Sequence, residues 1–247
     1  MITDYPHYPY ETAPPNPMYI GVDLGQSDDF TAYTISEQLR APFSPVVYHM
    51  RHLERDQPRR YGMVIDRVRD MIEDLRSPVS LFNVATGQYE MRRRPITVVV
   101  DRTGVGRAVG DQFSDAALAC DLVLVSITPG DAVTRDGGHF KVPKRDIVSS
   151  IAVLLQTDRL KIVDSLPLSA VMKSELKNFK IRYTKRGHDI YNAGTSQDLA
   201  EWRDGGLHDD LGLAAGLSLW YAETYGHGEF QALPTATVAA MTSWFEP

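Results

Sequence analysis

A chain of 247 residues, 43% hydrophobic and 23% charged, has the length and balance for one large domain or two small ones with a real core, which excludes general disorder. No stretch is long and apolar enough to span a bilayer, and the N-terminus lacks the basic-then-apolar pattern of a secretory signal, so the expectation is a soluble intracellular protein. The single cysteine, Cys120, excludes an internal disulfide and a cysteine-based zinc cluster, and the net charge of -6 argues against a uniformly basic surface without excluding local basic patches.

Residues 1–17 contain five prolines and no periodicity, which reads as an extended arm or linker. Strands are predicted over 18–24, 31–36 and 46–51, with Pro42 and Pro45 marking the turn between the last two. Such closely spaced strands make an antiparallel meander. Val64, Ile65, Val68, Met71, Ile72 and Leu75 recur at helical spacing and define an amphipathic helix over 61–75, with Arg67, Arg69, Glu73 and Asp74 on its outer face. Residues 79–95 form a polar excursion, a loop or small hairpin turning at Thr86-Gly87 and ending in Arg92-Arg93-Arg94. Residues 96–100 read as a strand buried on both faces, ending on Asp101. A turn through Gly104 and Gly106 leads into a helix reaching about Ala119, and 122–127 is a further buried strand.

After a Gly-rich loop over 128–138, helices are predicted over 144–156 and 167–179, separated by a short strand at 160–163. A hairpin over 179–193 turns at Lys185-Arg186-Gly187-His188. The last strong element starts near His208 and carries Leu211, Leu213, Ala214, Leu217 and Trp220. The meander followed by right-handed crossovers predicts an α/β fold, with one mixed sheet and helices on its faces. The domain runs over 18–228 and is followed by a weakly patterned tail over 229–247.

Charge concentrates where such a sheet places its ligands. Asp23 and Asp101 end two buried strands, and the carboxyl ends of strands are where open mixed sheets bind. If those strands are neighbours, about 4.8 Å apart, the two carboxylates can share a metal ion. His208-Asp209-Asp210 supplies a third acidic source at the start of the last helix. Helix capping accounts for one such Asp, but not for three acidic sites together. Clustered carboxylates kept ionised at neutral pH require a divalent cation, and oxygen-only ligands favour magnesium or manganese over zinc. The matching chemistry is phosphodiester cleavage with two ions roughly 3.5 to 4 Å apart.

The motifs Ile20-Gly21-Val22-Asp23-Leu24-Gly25 with Asp29-Phe30-Thr31-Ala32, then Val99-Val100-Asp101-Arg102-Thr103-Gly104-Val105-Gly106, and His208-Asp209-Asp210-Leu211, resemble the nuclease domain of the large terminase subunit of tailed bacteriophages. The stretches Phe140-Lys141-Val142-Pro143-Lys144-Arg145-Asp146 and Leu160-Lys161-Ile162 are similar to that family as well. The resemblance spans most of residues 18–223. It implies an RNase H-like fold and a metal-dependent endonuclease that cuts concatemeric viral DNA during packaging. It further implies an ATPase motor, a portal protein and a small terminase subunit as partners, in the cytoplasm of an infected bacterium. Carried over by position, Asp23 matches the first-strand acid, Asp101 the fourth-strand acid, Asp209 or Asp210 the acid of the closing helix, and Asp29, rather than Asp28, an accessory acid.

The chain holds no Gly-x-x-x-x-Gly-Lys-Ser/Thr loop, so no ATP hydrolysis is expected from it. Lys173, Lys177, Lys180, Arg182, Lys185 and Arg186 form a basic stripe suited to sequence-independent phosphate contact with double-stranded DNA. Lys141, Lys144 and Arg145 form a second candidate and Arg92 to Arg94 a third. Ordinary solvated surface is the competing reading for each. His208 could assist a metal or a leaving group, and Gly104 and Gly106 could cradle a phosphate, although a tight strand-to-helix turn explains the glycines equally well. Alternatives are a Holliday-junction resolvase or transposase-like nuclease of the same fold, and a non-catalytic packaging protein. A nucleotide-binding module of the actin and sugar-kinase type would need a second phosphate-binding turn, and none is found.

Overall fold

The computed structural model describes residues 15–25, 30–40, 44–57, 60–83, 86–104, 107–178 and 210–226. Strands β1 (Met18–Asp23), β2 (Thr31–Leu39) and β3 (Val47–Asp56) form the expected antiparallel meander. Then come α1 (Tyr61–Leu75), the hairpin β4 (Val79–Asn83) and β5 (Gln88–Arg92), β6 (Ile96–Asp101), α2 (Arg107–Asp115) and β7 (Asp121–Thr128). They are followed by β8 (Thr134–Asp136), β9 (His139–Pro143), α3 (Lys144–Gln156), β10 (Leu160–Lys161), α4 (Ser169–Asn178) and α5 (Asp210–Tyr225). The hairpin expected over 179–193, the arm before residue 15 and the tail after 226 lie outside the described residues.

Among the described residues, eight strands form one sheet in the order β10-β3-β2-β1-β6-β7-β9-β8. β1, β6, β7 and β9 run parallel, so their carboxyl ends lie along one edge of the structure. Alternation along each strand divides the core in two. Ile20, Val22, Val98 and Val100 pack with α1 and α2 on one face. Tyr19, Val99 and Val123 turn to the other, beneath α3 and α5.

The α5 sequence is apolar on nearly all sides, as a helix enclosed by protein must be. Leu211, Ala214, Leu217 and Leu219 are fully buried. Two glycines allow it to lie that deep. A methyl group on Gly21 would meet the carbonyl oxygen of Ala214 at 1.9 Å, and one on Gly216 would meet Ile147 Cγ2 at 2.6 Å. The helix therefore touches β1 backbone to backbone. The Tyr19 hydroxyl, two residues before Gly21, donates to the carbonyl of Gly226 at 3.4 Å, which sets α5 antiparallel to β1.

The differences from the sequence reading have local causes. β2 and β3 extend beyond the expected 36 and 51, because polar side chains such as Gln38, Glu37 and Arg55 find partners and continue the ladder. The loop at 128–138 contains β8 and leads into β9, whose five residues carry only two inward apolar side chains, Phe140 and Val142, too short a pattern to read as a strand. α2 stops at Asp115, where the chain turns through Ala117 in the left-handed region at φ 47°. Arg67 is not a plain solvent-face residue. It donates to Glu54 through Nε at 2.8 Å and Nη2 at 2.6 Å and ties α1 to β3. Among the described residues no helix is long and apolar enough to cross a membrane.

The close approach of α5 makes a measurable prediction. Gly21→Ala should lower unfolding stability by about 3 kcal/mol, since the overlap is with backbone that no rotamer change relieves. Gly62→Ala, where an added methyl meets nothing within 4 Å, should be neutral or stabilising by up to about 1 kcal/mol. Urea denaturation of the two variants beside the parent chain measures both.

Candidate functional site

β1 and β6 pair in parallel with Val22 opposite Val100, so the next residues, Asp23 and Asp101, stand level at the carboxyl ends of adjacent strands. Both lie on the α5 face, by alternation from Gly21 and Val99. Asp23 is half-buried, whereas Asp101 is only 6% exposed. The Thr103 backbone N–H donates to Asp101 Oδ1 at 2.7 Å, and Thr103 Oγ1 accepts from the Ile127 N–H at 2.7 Å. The turn after β6 is thereby fixed, and Gly104 takes φ 77° to complete it. Burial is the largest influence on Asp101 and pushes its carboxyl above the ordinary value, against the Thr103 bonds and the nearby Lys144 ammonium, which favour ionisation.

The third acidic source arrives at the same end of the sheet. Ala214 lies against Gly21. Asp210, one helical turn earlier, reaches the level of Asp23, because four residues of helix and two of strand both span about 6 to 7 Å. Asp210 begins α5 and is 7% exposed. Its Oδ2 lies 3.3 Å from Nη2 of Arg55 on β3. Arg55 also donates to Glu175 of α4, and Glu175 Oε2 accepts from the Gly212 N–H at 2.8 Å. Arg55 and Glu175 were not singled out by the sequence. Arg55 lies beyond the expected end of its strand, although it continues the inward alternation of Leu53, and Glu175 reads as one more acid on a polar helix.

Asp23, Asp101 and Asp210 are thus brought to one end of the sheet, while Asp29, His208, Asp209 and Gly106 lie outside the described residues. Among the described residues no three Asp, Glu, His or Cys side chains are gathered closely enough to hold an ion. Asp23 and Asp101 offer two adjacent carboxylates with oxygen donors only. A hard divalent cation fits that donor chemistry, and neutralising a carboxylate as buried as Asp101 is what such an ion would do.

The basic residues divide. Lys144 opens α3 near Asp101, with exposed Lys141 on β9 just before it. Arg145 is engaged with Asp131, donating to Oδ1 at 2.9 Å and to the backbone carbonyl at 2.6 Å. Lys173 pairs with Asp164 at 2.5 Å. The Arg92 to Arg94 run precedes β6 and so stands at the opposite end of the sheet from Asp101. Arg94 there donates to Glu37 at 2.9 Å. Lys180, Arg182, Lys185, Arg186 and the side chain of Lys177 lie outside the described residues.

No protein-family model matches the chain, and no curated protein is significantly similar to it. Solved structures do match. The nuclease domain of the large terminase subunit gp2 of bacterial virus Sf6 superposes with a TM-score of 0.50 at 10% identity, covering 84% of this chain and 89% of that one. The large terminase nuclease from thermophilic phage G20c gives 0.46 at 17% identity over 86% and 85%. The g2p (large terminase) nuclease domain from bacteriophage SPP1, solved with bound Mn, gives 0.45 at 12% identity over 84% and 86%. The fold is RNase H-like, a mixed sheet flanked by helices. Within that class, its architecture is similar to that of the terminase large-subunit nuclease domain of Sf6.

The raised carboxyl of Asp101 has a sign that experiment can check. Above pH 3.8, its ordinary value, the folded chain holds this proton more tightly than the unfolded chain, so this group's contribution to stability falls as pH rises. Asp101→Asn keeps an acceptor for the Thr103 N–H and removes the buried charge. The metal-free variant should melt a few degrees above the parent at pH 7 to 8, with the gain shrinking as pH falls toward 3.8. Calorimetric melting across that range measures it.

Proposed function

We propose that this chain is a metal-dependent endodeoxyribonuclease of the terminase large-subunit type, cutting concatemeric viral DNA during genome packaging. The observation that carries this reading is the level pairing of Asp23 with Asp101 at the carboxyl ends of adjacent parallel strands, under the start of α5. Asp23, Asp101 and an acid of the 209–210 pair would hold magnesium or manganese, with Asp29 accessory. Two such ions supply an activated water and charge stabilisation for the leaving oxygen.

The chain's own residues account for orientation and environment. The Thr103 N–H fixes the Asp101 carboxylate. Lys144, close to Asp101, is placed to draw a phosphodiester toward the acidic pair and to offset like-charge repulsion between DNA and carboxylates. Lys141 and the basic positions from Lys173 to Arg186 would extend that contact along a duplex without reading sequence. The motor, portal and small-subunit partners and the infected-cell setting belong to the same proposal.

The test is plasmid digestion with Mg2+ or Mn2+. Asp23→Ala and Asp101→Ala should each reduce cleavage by on the order of 100-fold or more, and one of Asp209→Ala and Asp210→Ala should do the same. Full activity in Asp23→Ala would refute the site, and a strong preference for four-way junctions over linear duplex would reassign the chain to the resolvases. A separate measurement addresses DNA grip. Lys141→Ala and Lys144→Ala should each weaken duplex binding irrespective of sequence and lower the slope of log affinity against log salt by about 1.

A further inference from the structure

The start of α5 is held from the side away from β6 by a buried ionic network of Arg55, Glu175 and Asp210. Glu175 is 5% exposed, and its Oε2 accepts from Gly212 at 2.8 Å. The Gly212 N–H is one of those that a helix start leaves without an internal partner. The other oxygen of Glu175 accepts from Arg55 Nη2, and that same nitrogen lies 3.3 Å from Asp210 Oδ2. The guanidinium also lies over the Phe30 ring, 5.2 Å from its centroid, where the chain enters β2. The position of Arg55 follows from register. Asp23 pairs with Ala32 and Ala32 with Arg55, so the guanidinium stands two strands from Asp23 at the same level and on the same face.

As adhesive alone this is a poor choice. Two carboxylates and a guanidinium taken out of water give little net stability compared with apolar packing of equal volume. A neighbouring Ser or Thr could cap the helix more simply. What the network does provide is direction. It ties the first turn of α5, the Asp210 carboxylate through an ion-pair contact, and the entry to β2 to one guanidinium anchored in the sheet. We propose that Arg55 and Glu175 are positioning residues for the divalent-cation site, setting the α5 acid against Asp23 and Asp101. This role rests on the nuclease reading of the same site.

The experiment is Mn2+ binding to the full chain by isothermal titration calorimetry, with cleavage followed over a range of Mn2+ concentration. Arg55→Gln should weaken Mn2+ binding about 10- to 100-fold, and cleavage should recover as Mn2+ is raised. Arg55→Lys, which restores the charge without the fork, should recover part of the affinity. Glu175→Gln, which retains an acceptor for Gly212, should show a smaller loss in the same direction. If Arg55→Gln does not fold by circular dichroism, Arg55→Lys and Glu175→Gln give the answer. Folded variants whose Mn2+ affinity stays within about 3-fold of the parent, a difference under 1 kcal/mol, overturn the positioning role. Asp23→Asn and Asp101→Asn separate the two levels. Loss of Mn2+ binding in both, with none in the Arg55 and Glu175 variants, overturns only the positioning role. A parent chain that takes up no Mn2+, or takes it up unaffected by either Asp substitution, overturns the nuclease reading and the positioning role together.

Discussion

The acid end of this protein depends on one backbone contact, the carbonyl of Ala214 seated where Gly21 has no side chain. Helices usually stand off a sheet by the depth of two side-chain layers. Here one layer is missing at the crossing, and α5 sinks until its own backbone fills the gap. The neighbouring residues fit that depth. Ala214, Ala215 and Ala222 are small and fully buried, while the larger Leu217 and Trp220 pack on Val99, Phe140 and Val142 further along the sheet. The position of Asp210 is a geometric consequence of this seating, because a helix antiparallel to β1 and touching it at Gly21 delivers its first turn to the end of that strand.

Burial of polar groups follows different rules at the two ends of α5. At its far end the groups saturate one another. Arg159 donates to both oxygens of Glu223 at 2.8 and 2.7 Å, and Tyr48 donates to Glu223 at 2.8 Å while accepting from Gln38 at 2.9 Å. Burial pushes the Tyr48 phenol up and the Glu223 contact pushes it the same way, against the opposing Gln38 hydrogen bond, so the phenol stays a neutral donor. On the other face, burial works against ionisation of Glu37, yet hydrogen bonds from Asn16, Arg51 and Arg94 outweigh it and hold the carboxyl below its ordinary value. At the Asp101 end burial wins instead, and the carboxyl is raised. Under the proposed function, a buried acid in that condition beside a second acid is where stability would be subordinated to chemistry.

Much of the architecture was legible because the decisive elements carry strong periodic signals. The five apolar or β-branched residues before Asp101, the helical recurrence from Val64 to Leu75 and the almost wholly apolar helix after Asp210 each permit one reading. Asp23 and Asp101 could be named for the same reason, since a charge that ends a buried run stands out against it. Short or polar elements did not announce themselves. β8 is exposed throughout and β9 has two inward residues. Arg55 and Glu175 acquire their significance only from the register of β2 with β3 and the packing of α4 against the start of α5. No local pattern encodes a partnership between residues that far apart in the chain. Arg92 to Arg94 show the reverse case, a conspicuous charge run that the topology carries to the end of the sheet opposite Asp101.

The order of elements along the chain also has a temporal meaning. β1 is made early, its parallel neighbour β6 follows only after four more strands and a helix, and α5 closes over both only after, among the described residues, a further four strands and three helices. Contacts of such long sequence separation form late, because the loop entropy must be overcome before the contact rewards it. A chain emerging from the ribosome therefore holds its first two acids on a sheet whose second face is still uncovered. If the proposed activity is correct, cutting competence arrives with the last helix, so incomplete or truncated chains are harmless to any DNA they meet during synthesis.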